Sequence, residues 1–167
     1  MRDQEKSKEK GGEEKEEIGF LGGYGRVRPV FIKEVSMADL KDLLQSADWK
    51  QEKHVPVIDA PDTIKKGEAI KVTLTVGKEI PHPNTTEHHI SWIETYFLAD
   101  GEKFPYQLGR FEFLTHGASA QGPNTSTIYT VSEVTCSFKT DKSGMILAES
   151  YCNIHGLWKN EKTVKVL

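Results

Sequence analysis

Along most of the chain the apolar residues recur with a period of two. IKVTLTV, positions 70–76, alternates throughout: Ile70, Val72, Leu74 and Val76 on one side, Lys71, Thr73 and Thr75 on the other. That pattern predicts a strand with one buried face. Further β-rich runs follow at HISWIETYFL, YQLGRFEFLTH, STIYTV, EVTCSFK, MILAESYC and KTVKVL, separated by the turn-forming stretches ADGEK, HGASAQGPN and TDKSG. Seven short strands within roughly 110 residues predict an all-β fold, an immunoglobulin-like antiparallel seven-stranded β-sandwich, with a barrel as the alternative.

The period changes only near the start. SMADLKDLLQSADW, positions 36–49, carries Met37, Leu40, Leu43, Leu44 and Ala47 at helical spacing, and Ser36 with Asp39 has the form of a capping box. A short amphipathic helix over 36–47 is therefore expected. Ahead of it, MRDQEKSKEKGGEEKEE has no apolar residue after Met1. Such a composition cannot bury enough surface to offset the entropy of ordering, so a disordered charged tail is predicted to about residue 17. The Gly-rich aromatic stretch IGFLGGYGRVRPVF follows. The expected organisation is a tail and linker over 1–35, then one domain over 36–167 whose core spans 50–167.

Composition narrows the function. Of 167 residues 37% are hydrophobic, low for a chain of this length, which agrees with part of it lying outside the core. A net charge of -3 gives no basic field for nucleic acid or anionic lipid, so neither is expected as a partner. No apolar run approaches the roughly 18 to 20 residues of a membrane span, and the start lacks the apolar core of a signal peptide. A cytoplasmic location is expected. Of the two cysteines, Cys136 alternates with Val134 and Phe138 and reads as a small core residue. In a cytoplasmic chain the pair is expected to be free or metal-bound rather than bridged.

The six histidines all lie beyond position 50. EKHVP places His54 beside a proline where the first strand begins. GKEIPHPNTTEHHI fixes His82 between two prolines, a rigid loop that continues to His88 and His89. Adjacent side chains on an extended strand point to opposite faces, so at most one of His88 and His89 reaches a shared metal, and periodicity does not choose between them. His89 and His116 read singly as surface or hydrogen-bonded histidines. In ESYCNIHGLWKN, Cys152 and His155 flank a turn that brings thiolate and imidazole toward one ion.

Taken with His54, His82 and His88 these make four imidazoles and one thiolate, too many for a four-coordinate structural zinc. Imidazole with a single thiolate suits a redox metal, and five ligands leave one octahedral position for a small oxidant. A blue-copper site wants a weak axial Met after its Cys and His, and Met1, Met37 and Met145 all precede Cys152.

EKHVP, GKEIPHPNTTEHHI and SYCNIHGLW, in that order and at these separations, resemble the signature segments of the superoxide reductase family, in its one-iron or neelaredoxin class. The resemblance runs from about Trp49 to the C-terminus. The related two-iron desulfoferrodoxins carry an additional four-cysteine iron module, and the N-terminal segment here has no cysteine. The resemblance implies a mononuclear iron with His54, His82, His88 and His155 equatorial and Cys152 axial, which also selects His88 over His89. It implies that Glu52 occupies the sixth position in the oxidised state and that Lys53 faces the vacant site in the reduced state. The implied reaction is one-electron reduction of superoxide to hydrogen peroxide without oxygen release, with rubredoxin or a similar small protein as electron donor and a homotetramer as the assembly. A redox-inert metal-binding module and an electron carrier are the rival readings.

Overall fold

A computed structural model describes residues 38–167 of the chain. The chain divides into two units, Met1–Ser36 and Met37–Leu167. The tail and linker expected over 1–35 lie outside the described residues, and the fold is that of the second unit alone.

The expected β-sandwich is present. Eight strands are found among the described residues: β1 (Val57–Asp59), β2 (Thr63–Ile64), β3 (Ala69–Thr75), β4 (Ile90–Ala99), β5 (Tyr106–Glu112), β6 (Glu133–Lys139), β7 (Gly144–Cys152) and β8 (Gly156–Val166). They form a three-stranded sheet in the order β1-β3-β6 and a five-stranded sheet in the order β2-β8-β7-β4-β5. Pairing is antiparallel except at β2, which runs parallel to the end of β8. Alternation places Ile70, Val72 and Leu74 of β3 fully inside, opposite Ile93 and Phe97 of β4 and Ile146 and Ala148 of β7. Two polar side chains are buried with them, each satisfied: the Thr95 hydroxyl donates to the Leu147 carbonyl at 2.9 Å and the Ser150 hydroxyl to that of His54 at 2.8 Å.

Several elements differ from expectation: β8 begins six residues before the KTVKVL run, and β5 stops four residues short of the end of YQLGRFEFLTH. Among the described residues the helix is a single turn, α1 (Leu40–Leu43), N-capped by Asp39, and Ser36 of the expected capping box lies outside them. Its apolar residues find no core, Leu40 and Leu43 being 65% and 53% exposed, and the chain then turns extended at Leu44 so that Gln45 can pair with Trp158. STIYTV forms no strand. Tyr129 makes one bridge to His116, while Ile128 and Val131 stay exposed. The additional short strands β1 and β2 bring the total to eight.

The sandwich end that receives β1, leads into β4 and closes the β7–β8 hairpin gathers the chemistry. There β4 carries a bulge: Ile90 pairs with Cys152 but Trp92 with Tyr151, leaving Ser91 as the extra residue. The hairpin turn runs through Asn153, Ile154 and His155 and is closed by Gly156 at a φ of 75°, a conformation glycine adopts without strain.

Candidate metal centre

Each donor is delivered by a different piece of this end. His54 precedes β1 and is buried. Its Nδ1 donates to Glu52 Oε1 at 2.5 Å, which fixes the tautomer and turns Nε2 inward. The same carboxylate oxygen accepts from the His54 backbone N–H at 3.2 Å. His82 sits between its prolines, with Nδ1 donating to the Pro83 carbonyl at 2.6 Å, so again Nε2 is left for another partner. His88 lies in the bend before β4, its backbone N–H held by Thr85 Oγ1 at 3.1 Å. Cys152 is the last residue of β7 and fully buried.

The donor atoms of His54, His82, His88 and Cys152 lie within 4.8 Å of one another. His155 is exposed and is not one of this group of four, yet its Nδ1 lies 3.0 Å from His54 Nε2 and 3.5 Å from Cys152 Sγ. Two imidazole nitrogens at right angles, each about 2.1 Å from one ion, would be about 3 Å apart. His82 Nε2 and His88 Nε2 are buried with no hydrogen-bond partner. A buried imidazole nitrogen without a partner is costly, and two aimed at the same thiol-lined space fit a metal ion.

Electrostatics keep the imidazoles in the form that binds metal. Burial pushes His54 and His88 below the ordinary histidine value and takes His82 down to about 4, and the nearby positive charge of Lys53 adds to the effect at all three. Burial opposes ionisation of Glu52, but hydrogen bonds from the His54 ring and backbone outweigh it and hold this carboxyl below its usual range. Glu52 therefore orients His54 and lies outside the group of four. His89 turns away from the centre: its ring stacks on His116 at 3.7 Å and its Nδ1 donates to the Thr85 carbonyl.

Residues that sequence reasoning left without a role hold the donors in place. The Asn153 side chain donates to the Glu87 carbonyl at 2.7 Å and accepts from the His89 N–H at 2.8 Å, so the β7–β8 turn grips the peptide on both sides of His88. The Trp158 ring stacks on His54 with centroids 5.0 Å apart. Both residues lie within or beside SYCNIHGLW, but nothing in their spacing shows that they face the upstream loops.

A β-sandwich with imidazoles and one buried cysteine sulfur converging at its end defines a candidate mononuclear, non-haem metalloprotein. Kinship with known proteins agrees: residues 46–161 match the family model described as desulfoferrodoxin. The chain is 56% identical over 126 residues to a superoxide reductase of Pyrococcus furiosus, covering 75% of this chain and 99% of that one. It is 51% identical over 123 residues to the neelaredoxin of Megalodesulfovibrio gigas, covering 74% and 95%. The structure of superoxide reductase (neelaredoxin) from Archaeoglobus fulgidus in its reduced form superposes with a TM-score of 0.69 at 58% identity, covering 74% of this chain and 98% of that one. The chain belongs to the desulfoferrodoxin family, in the one-iron superoxide reductase class.

Proposed function

We propose that this chain reduces superoxide by one electron to hydrogen peroxide, without releasing oxygen, at a mononuclear non-haem iron that would be held by His54, His82, His88, His155 and the sulfur of Cys152. The observation that carries the reading is the convergence of unpartnered, buried His82 Nε2 and His88 Nε2 on the buried Cys152, with His54 Nε2 and His155 Nδ1 completing the set. The kinship with proteins named superoxide reductase supplies the substrate. Iron bound there would supply the ferrous–ferric couple from which the electron comes.

The chain's own residues account for the rest. Cys152 is fully buried and His155 is exposed, so the His155 side of the donor cluster is the side open to a substrate from solvent. Lys53 attracts the anion to a protein whose net charge is otherwise -3, and its ammonium orders water for delivery of the two protons that peroxide requires. Glu52 orients His54 and would act as a further donor to a bound iron. Doing so requires its other carboxylate oxygen or loss of the bond to His54 Nδ1. The electron is restored by a small donor of rubredoxin type, the assembly is a homotetramer and the compartment is the cytoplasm. Support for the donor and the assembly is the one-iron class itself; among the described residues no helix is long and apolar enough to cross a membrane.

Replacement of Cys152 tests the assignment of the thiolate. Oxidised, iron-loaded protein should show a visible sulfur-to-iron charge-transfer band that Cys152→Ser abolishes along with activity. A variant that kept both would remove Cys152 from the ligand set, and a protein that took up iron with no such band would favour the redox-inert reading.

A further inference from the structure

The segment just before the residues matched by the family model carries a side chain that reaches the site. Gln45 Nε2 donates to the backbone carbonyl of His155 at 2.8 Å. The same residue pairs through its backbone with β8: its N–H donates to the Leu157 carbonyl at 3.0 Å, and its carbonyl accepts from the Lys159 N–H at 2.8 Å. These two bonds bracket Trp158 in a parallel bridge. β2 pairs only with Lys165 and Val166, so the front half of β8 has a free edge there, and Gln45 fills it at the residue where it matters for the centre.

The consequences reach two imidazoles by separate routes. His155 ends the three-residue turn, is exposed, and has its Nδ1 directed inward although the carbonyl beside it faces out toward Gln45. Holding that carbonyl limits rotation of the His155 peptide and thereby the direction of its ring. Trp158, whose backbone is bracketed by Gln45, stacks on His54 with an interplanar angle of 16°. On the far side of the turn Asn153 grips the His88 peptide. Without Gln45 the turn is anchored on one side only.

We propose that Gln45 is a positioning residue for the metal centre, its side-chain amide fixing the exposed ligand His155 and its backbone fixing the Trp158 platform under His54. The proposal rests on the reading of this site as a metal centre. It assigns a role to the residues beyond α1 that the sequence placed at the end of an amphipathic helix.

The test uses the full chain loaded with cobalt(II) under anaerobic conditions, with three substitutions at one position. Gln45→Met keeps the shape and loses the donor, Gln45→Glu keeps the shape and presents only an acceptor when ionised, and Gln45→Lys restores a donor. Gln45→Met and Gln45→Glu should release cobalt to a chelator about threefold to tenfold faster than wild type, the loss of one hydrogen bond that holds a ligand. They should also shift the cobalt ligand-field bands and speed amide hydrogen exchange at His155 and Gly156. Gln45→Lys should return all three toward wild type, which a general loss of stability would not do. The proposal is overturned if all variants match wild type, or if Gln45→Lys behaves like Gln45→Met. A wild-type protein that takes up no stoichiometric cobalt would instead defeat the metal-centre reading, and this inference with it.

Discussion

Gly77 offers a way to move one ligand without touching a donor atom. It follows Val76 at the start of the loop that carries His82, has a φ of 83°, and a Cβ added there would lie 2.7 Å from the His82 backbone nitrogen and 3.2 Å from His82 Cβ. Gly101 has nearly the same conformation, a φ of 80°, but a Cβ there would meet nothing within 4 Å. The pair separates backbone strain from displacement of the ligand loop. Gly101→Ala should cost only the left-handed conformation, about 1 to 2 kcal/mol. Gly77→Ala carries that cost plus overpacking against a backbone atom that cannot rotate away, about 1 to 3 kcal/mol more, for a total of about 2 to 5 kcal/mol. Relief of the clash must shift His82, whose Nε2 then leaves the common focus. A loss of metal affinity of about 10- to 100-fold is expected, as for disturbed outer-shell partners, which lowers metal-induced stabilisation by about 1.4 to 2.7 kcal/mol at fixed metal concentration. Denaturant melts of both variants, metal-free and with anaerobic ferrous iron, read both quantities. If Gly77→Ala loses no more stability than Gly101→Ala and gains as much from iron as wild type, the contact with His82 does not govern the site.

Other perturbations isolate single roles. His88→Ala should lose stoichiometric iron while His89→Ala retains it, because His88 Nε2 is left unpartnered at the centre whereas the His89 ring stacks on His116 away from it, and metal analysis with the opposite outcome would reverse that choice. Lys53→Ala should slow the encounter with superoxide about threefold at low salt and flatten its dependence on ionic strength, so pulse-radiolysis rates unchanged from wild type would remove Lys53 from substrate attraction.

Where alternation is regular the fold can be read from the residues. β3, β6 and β7 fall within a residue or two of the predicted runs because one face of each meets the core and the period of two is unbroken, and β4 does so with the period broken only near its start, at the bulge. β1 and β2 are short, three and two residues, and carry too little pattern to stand out. STIYTV has β-forming composition but no core to face, and the helix at 36–47 shrinks to one turn for the same reason. At the site, the residue types pointed to a metal, and the choice between His88 and His89 rested on family resemblance. Strand geometry could not make it, since His88 lies in the bend and His89 just after it, both ahead of a bulged strand. Gln45, Asn153 and Trp158 act through contacts between segments distant in sequence, which local spacing does not record.

The central claim concerns what happens to superoxide. Rapid mixing of the reduced, iron-loaded chain with a known amount of superoxide, with peroxide and oxygen measured together, tests it most directly. One peroxide should form per superoxide consumed, one iron should be oxidised for each, and no oxygen should be evolved. Oxygen released alongside half as much peroxide would mark a dismutase, and oxidation without peroxide, or no reaction, would contradict the account.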